Sequence, residues 1–209
     1  MLRVHLIRHG RTDWNARGLY QGHIDTKLDA YGHLQAKHLA TRLATCEPPA
    51  QIIHSDLARA AQTASHVSQA LGCPSRADAR LREVQCGAFE GLERNVIEAR
   101  WPGHAARFRV REVAAPGGEP LDVAQARVRA AWDDMLRDPC EVVAVISHGF
   151  ILRLLLADLF DVPAGVLPPM APMTNTAITT LELRDETVHL IRANDTRHVP
   201  APPESATHG

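Results

Sequence analysis

The sequence is short of the features that mark specialised protein classes. No apolar run approaches the roughly 18 residues that a membrane-spanning helix requires, so no membrane attachment is expected. The chain opens without a charged region followed by a long apolar stretch, and its first strand begins almost at once, which leaves no room for a cleavable signal. Four cysteines, Cys46, Cys73, Cys86 and Cys140, lie far apart with no Cys-x-x-Cys pair. That spacing argues against a zinc knuckle and against a disulfide scaffold, and it fits a reducing, cytoplasmic setting. Neither sign of charge prevails: 23 basic and 24 acidic residues leave a formal net charge of −1, so nucleic acid is not an expected partner. Twelve histidines invite a search for a metal site, but His5 and His9 stand about 13 Å apart along a strand and the others fall in no His-Glu-x-x-His pattern. No metal site is expected.

What the sequence does contain is one core's worth of α/β pattern. At 209 residues, with 45% hydrophobic and 22% charged residues, it matches the size and composition of a single globular domain. The run Val4 to Ile7, broken only by His5, stops at Arg8-His9-Gly10 and predicts a buried strand. A helix capped by Asp29 follows, with Ala36, Leu39, Ala40 and Leu43 as its apolar stripe, and it ends before Pro48-Pro49. Gln51-Ile52-Ile53-His54 predicts a short strand that ends in Ser55-Asp56. The next helix carries Ala60, Ala64, Val67 and Leu71 and is stopped by Gly72 and Pro74. A polar connection then leads to Arg82-Glu83. Residues 93–118 show broken periodicity and are expected to form a small cap of short helices. A further helix carries Val128, Ala131, Trp132 and Met135. Val142 to Ile146, apolar throughout, predicts a strand buried on both faces, and it passes through Ser147-His148-Gly149 directly into an apolar helix. Residues 175–183 and 187–191 predict an antiparallel hairpin. The expected architecture is α/β, a three-layer αβα sandwich whose mostly parallel sheet has an antiparallel edge. It forms one domain over residues 1–193, followed by a disordered tail over 194–209.

Three of these strands end in polar groups: Arg8-His9-Gly10, Ser55-Asp56 with Arg59 a turn later, and Ser147-His148-Gly149. A right-handed parallel sheet places such ends along one edge, so two histidines and two arginines are expected to face one crevice. Guanidinium forks match phosphate oxygens, and the helix that starts at Gly149 is expected to add free N–H groups and a positive dipole end. Arg59 near a helix start opposes the macrodipole unless an anion lies close by. The sequence has no Gly-x-x-x-x-Gly-Lys loop, and these strand ends carry no paired aspartates for magnesium, which argues against nucleotide-dependent transfer and metal-assisted hydrolysis.

These residues carry a resemblance. Arg8-His9-Gly10 with Thr12, Trp14, Asn15 and Gln21-Gly22, then Ser55-Asp56-Leu57 with Arg59-Ala60 and Thr63-Ala64, Leu81-Arg82-Glu83 with Gly87 and Glu90-Gly91-Leu92, Ser147-His148-Gly149 and Asn175-Thr176 stand in the order of five family motifs. On them the chain resembles the histidine phosphatase superfamily, in its phosphoglycerate mutase-like branch, over nearly its whole length. The resemblance implies phosphoryl transfer through a phosphohistidine without a metal or cofactor. His9 is then the nucleophile through Nε2, with Nδ1–H held by a nearby carbonyl. Arg8, Arg59 and His148 hold the phosphoryl oxygens, with His148 driven toward the imidazolium form by the phosphate charge. Asn15, Gln21, Gly22 and Gly149 complete the substrate site. Glu83 is the general acid and then the base for water.

Mutases of this kind follow the acid with a tyrosine-glycine segment and carry a pair of arginines for a carboxylate. The stretch Glu83-Val84-Gln85-Cys86-Gly87-Ala88-Phe89-Glu90-Gly91 is closer to the phosphatases, so hydrolysis is expected over isomerisation. Since both His9 and Glu83 are present, a phospho-ligand-binding module without turnover is the weaker alternative. The expected partner is a small phosphorylated metabolite, with a homodimer as the candidate assembly. Trp101, Phe108 and the arginines around them leave open whether the cap is apolar or anion-binding.

Overall fold

The computed structural model describes residues 1–137, 140–166 and 173–202. In chain order the elements are β1 (Leu2–Arg8), α1 (Asp13–Ala16), α2 (Ala30–Cys46), β2 (Gln51–His54), α3 (Ala58–Leu71), β3 (Ser75–Ala77), α4 (Arg94–Arg100), α5 (His104–Arg109), α6 (Leu121–Met135), β4 (Val142–Ser147), α7 (Gly149–Leu159), β5 (Ile178–Arg184) and β6 (Thr187–Asp195). Two 3-10 turns, Ala79–Leu81 and Gly87–Phe89, interrupt the connection between β3 and α4.

The six strands form one sheet in the order β3-β2-β4-β1-β5-β6. The first four run parallel, and the β5–β6 hairpin lies antiparallel along one side. Side chains alternate across a strand, and here both faces are buried. Val4 and Leu6 of β1 and Val143 and Val145 of β4 join the core beneath α6, α7 and the short helices. Ile7, Ala144 and Ile146 join the opposite core, with Leu39 and Leu43 of α2 and Ala64 and Val67 of α3. That two-sided burial explains the uninterrupted apolar run of β4 and gives the sandwich its three layers.

The structure differs from the sequence reading in three places. The polar connection after α3 contains β3, whose three residues are all exposed and carry no alternation to signal a strand. A single helical turn, α1, follows the first strand; Thr12 caps it and Asn15 returns the bond to the Thr12 backbone. The boundary at residue 194 falls inside β6, and beyond it His198 Nε2 lies 3.0 Å from the Thr176 carbonyl while Tyr31 Oη donates to the Pro200 carbonyl at 2.6 Å. Proline-rich composition alone gave no sign of this anchoring. Residues 203–209 of the expected tail lie outside the described residues.

The short helices α4 and α5 pack around Phe89. Its fully buried ring meets Tyr20, Trp101, His104 and Phe108 at centroid distances of 5.7, 5.5, 5.6 and 5.6 Å, mostly edge to face. Phe89→Ala is expected to cost about 3–5 kcal/mol, since it removes the ring and leaves a cavity among aromatic neighbours. Urea unfolding followed by circular dichroism checks this, and a loss under about 1 kcal/mol would mean that the cap collapses around the gap.

Candidate active site

The register of the central strands assembles the site. In the parallel β1–β4 ladder Arg8 stands level with Ser147, and the His9 N–H donates to the Ser147 carbonyl at 2.9 Å. His9 and His148 therefore leave adjacent strands at the same height, with ring centroids 5.1 Å apart. β2 joins the same edge, the Ser55 N–H donating to the Ile146 carbonyl at 3.0 Å. Gly10 is needed here for close approach: a Cβ on it would lie 2.7 Å from the Gly32 carbonyl oxygen, and one on Gly32 would lie 2.0 Å from that of Arg11. The loop after β1 thus rests directly on the backbone of α2. Asn175 and Thr176 hold the other side, through Asn175 Nδ2 to the His9 carbonyl and the Thr176 N–H to the Arg8 carbonyl, both at 2.9 Å.

His9 is buried, and its Nδ1 lies 2.7 Å from the carbonyl oxygen of Gly10. A carbonyl only accepts, so Nδ1 carries the proton and Nε2 keeps a free lone pair. Burial, reinforced by Arg59 and Arg8, pushes the His9 imidazole well below the ordinary histidine value and keeps it neutral.

Arg59 is wholly buried. It donates to the Ile24 and Gly22 carbonyls at 2.9 and 2.8 Å and, through Nε, to His148 Nδ1 at 3.1 Å. Burial lowers it to about 10, so it remains a cation. Arg8 reaches the Met173 carbonyl at 2.7 Å, while its Nε is buried with no hydrogen-bond partner among the described residues. His148 departs from expectation. Its Nδ1 accepts from Arg59, so Nε2 carries the proton, and that nitrogen lies 2.8 Å from Ser55 Oγ. Both nitrogens are engaged, and burial followed by Arg59 holds the ring well below the ordinary histidine value. His148 is therefore a neutral support for Arg59, set behind the residues that line the cavity.

Glu83 supplies the second departure. Its carboxylate accepts from the N–H groups of Phe150, Ile151 and Val84 at 3.1, 2.8 and 3.0 Å. The first two belong to the start of α7, so those N–H groups hold the carboxylate and are not free for phosphate. The Glu83 carbonyl in turn accepts from Arg127 at 2.9 Å, and Arg127 pairs with Glu119 at 2.7 Å. Arg127 was not among the expected site residues. Its place on an exposed-looking helix stripe gave no sign that it holds the acid's loop.

A cavity of about 370 Å³ opens above these groups, lined by Arg8, His9, Asn15, Gln21, Gly22, Arg59, Glu83 and Gly149 among others. Eight of the nine expected residues thus share one cavity, with His148 directly behind. Asn15 Oδ1 accepts from the Thr12 N–H and from Asn175 Nδ2, which leaves its amide N–H groups for the cavity. Gln21 Oε1 is held by Thr12 and Thr26. At Gly22, where φ is +49°, a Cβ would meet the Glu90 carboxylate, which bonds the His23 and Cys86 N–H groups and ties the two loops together. The Cys86 thiol is pushed well up by burial, so the one cysteine lining the cavity is no rival nucleophile. Tyr20, Phe108, Arg109, Phe150 and Arg153 complete the outer wall. Among the described residues no group of three or more His, Cys, Asp or Glu is placed to hold a metal ion.

Comparison with known proteins agrees with this geometry. The family model of the histidine phosphatase superfamily (branch 1) matches residues 4–196. Glucosyl-3-phosphoglycerate phosphatase of Mycobacterium tuberculosis (strain ATCC 25618 / H37Rv) is 34% identical over 190 residues, covering 86% of this chain and 84% of its own. Probable phosphoglycerate mutase GpmB of Enterobacter sp. (strain 638) is 35% identical over 167 residues, covering 78% of this chain and 77% of its own. The solved structure of mycobacterial glucosyl-3-phosphoglycerate phosphatase in complex with VO3 superposes with a TM-score of 0.84 at 32% identity, over 93% of this chain and 99% of that one. Since the family match runs from the first strand to the end of the sheet, the chain belongs to branch 1 of the histidine phosphatase superfamily and is a histidine-type phosphatase.

Proposed function

We propose that the chain hydrolyses a small phosphomonoester in two steps through a phosphohistidine on His9. The observation that carries this reading is the His9 tautomer: Nδ1–H is fixed on the Gly10 carbonyl, and the Nε2 lone pair sits among Arg8, Arg59 and Glu83. In the first step Nε2 attacks phosphorus, the P–O bond to the alcohol breaks, and Glu83 passes to the leaving oxygen a proton that it takes up as the phosphomonoester monoanion binds. In the second step Glu83 takes a proton from water, the water oxygen attacks phosphorus, and His9 leaves with its lone pair restored. Arg8 and Arg59 carry the positive charge that offsets the phosphoryl oxygens, a task that requires no metal ion. The mycobacterial relatives act on glucosyl-3-phosphoglycerate, and one of them is solved with VO3, which supports a small phosphorylated metabolite as the substrate class here.

Brief reaction with a labelled monoester is expected to leave acid-labile, base-stable phosphate on the protein, and His9→Ala is expected to abolish both label and turnover. Label on a serine or an aspartate would exclude this mechanism.

Glu83→Gln is expected to slow turnover by roughly 10² to 10⁴-fold for alkyl phosphates and much less for p-nitrophenyl phosphate, whose leaving group needs no proton. Equal losses on both would assign Glu83 a purely structural role.

Because the folded-state values of His9 and His148 lie well below the ordinary one, the unfolded chain binds more protons than the folded chain as the pH drops below about 6.5. Stability contributed by these two rings is thus complete above that pH and is lost as acid approaches their folded values. Ring nitrogen NMR should show both neutral at about pH 6.5. Half-protonation of the His9 ring at that pH would remove the neutral nucleophile from the reading.

A further inference from the structure

A second cavity, of about 330 Å³, opens on the α2 face of the sheet, between the end of α2 and the β5–β6 hairpin. It shares no lining residue with the active-site cavity. His5 of β1 and Thr180 of β5 form its floor, and Arg42, Cys46, Arg192 and Asp195 stand around it. His5 is the residue that breaks the apolar run of β1, and it is 4% exposed. Its Nδ1 lies 3.1 Å from Thr180 Oγ1, while Nε2, 3.5 Å from a Glu47 carboxylate oxygen, has no hydrogen bond among the described residues. We propose that this groove is a thiol-modification site: Cys46 forms a reversible mixed disulfide with small disulfides that carry carboxylates, and Arg42, Arg192 and His5 seat those carboxylates.

The groove has more cations than its own carboxylates neutralise. Arg197 grips Asp195 through two nitrogens at 2.9 and 2.6 Å, and Glu47 is paired with Arg3. Arg42 and Arg192 are left with single, longer contacts to Asp195, both to Oδ2, at 3.3 and 3.4 Å. Two guanidinium groups that meet at one oxygen stand close enough for one further carboxylate to bridge them. His5 adds a donor from below. Burial lowers its ring from the ordinary histidine value, and a neutral ring beside the Glu47 carboxylate carries its proton on Nε2, with Thr180 Oγ1 donating to Nδ1.

Of the four cysteines, Cys46 is the one whose surroundings suit this exchange. It is exposed and ends α2, and its Sγ accepts a hydrogen bond from Arg42 Nη1 one turn earlier. A thiolate at the C-terminal end of a helix meets the negative end of the dipole, and the Arg42 guanidinium supplies the opposite charge that it pairs with. The other three are held as thiols. Cys86 and Cys140 each donate through Sγ to a carbonyl, of Val84 and Val142, at 3.3 Å, and burial pushes the Cys73 thiol up. In the exchange the Cys46 thiolate attacks one sulfur of the small disulfide, the S–S bond breaks, and the other half leaves as a thiolate that takes up the proton Cys46 released. Cys46 is thereby oxidised to the mixed disulfide and the leaving half is reduced, and attack by a second small thiol reverses both changes.

Two aromatic disulfides of unlike charge test the proposal: dithiobis(nitrobenzoate), which carries two carboxylates, and dithiodipyridine, which is neutral. The rate of each with the full chain is divided by its rate with mercaptoethanol, so that the intrinsic reactivity of the probe cancels. On that scale Cys46 is expected to prefer the anionic probe by about tenfold or more, and the preference should fall about threefold or more in Arg192→Met and, for the wild type, at high salt. Arg192 is half-exposed, so its replacement leaves the core intact. Peptide mapping after one equivalent of glutathione disulfide should place the first adduct on Cys46. A normalised ratio near unity, a ratio unmoved by both Arg192→Met and salt, or a first adduct on another cysteine would overturn the proposal.

Discussion

The structure depends on the parallel ladder between β1 and β4. These strands are far apart in sequence and adjacent in the sheet, and their register fixes Arg8 opposite Ser147. A shift of one residue would turn every side chain of β1 to the other face, placing Ile7 where Leu6 packs and carrying His9 away from His148. The two apolar cores therefore enforce the geometry of the site, because each accepts only its own alternate set of residues. The Gly10–Gly32 contact adds a second lock, since neither position has room for a side chain. Together they bring three strand ends to one level.

Much of this was legible in the sequence because the informative residues interrupt apolar runs. Arg8-His9-Gly10 and Ser147-His148-Gly149 are conspicuous against the strands that precede them, and a parallel sheet gives such ends one shared edge. The residues that stayed hidden do not interrupt anything. Arg153 lies inside the apolar run of α7 and reads as a polar break in a core helix, while Arg109 is one arginine among several in a segment without periodicity. Arg127 holds the loop of Glu83 through carbonyls, and no pattern of side chains reports a bond to the backbone. β6 extends through Asp195 with most of its side chains exposed, so the alternation that marks a half-buried strand is absent from it.

Hydrogen-bond direction was the other thing that sequence could not supply. Composition and spacing place a histidine, an arginine and a glutamate near one another, but they do not say which nitrogen carries a proton or which N–H groups are already engaged. The structure answers both. Glu83 occupies the start of α7 that was expected to receive phosphate, and His148 is turned onto Ser55 and Arg59. Phosphate recognition is accordingly proposed to fall to Arg8, whose Nε has no partner among the described residues, to the remaining Arg59 hydrogens, and to the Asn15 amide.

The choice of residue types follows from one physical effect acting on different starting points. Burial lowers the Arg8, Arg59 and Arg153 guanidinium groups of this cavity, because the charged form loses its hydration. Arg59 starts at 12.5 and is lowered to about 10, which leaves it charged at neutral pH. His9 starts at 6.5 and is driven further down, which leaves it neutral. In the proposed mechanism the same desolvation that strengthens the grip on an anion thus also frees the lone pair of His9, and neither task needs a separate device. Lysine does not serve in the position of Arg59. Its ammonium starts at about 10.4, so a comparable lowering carries it toward neutrality, and it lacks the planar fork that here spans the Ile24 carbonyl, the Gly22 carbonyl and His148 at once. A site built by burial requires a cation that burial cannot discharge, and of the protein side chains only arginine meets that condition with margin.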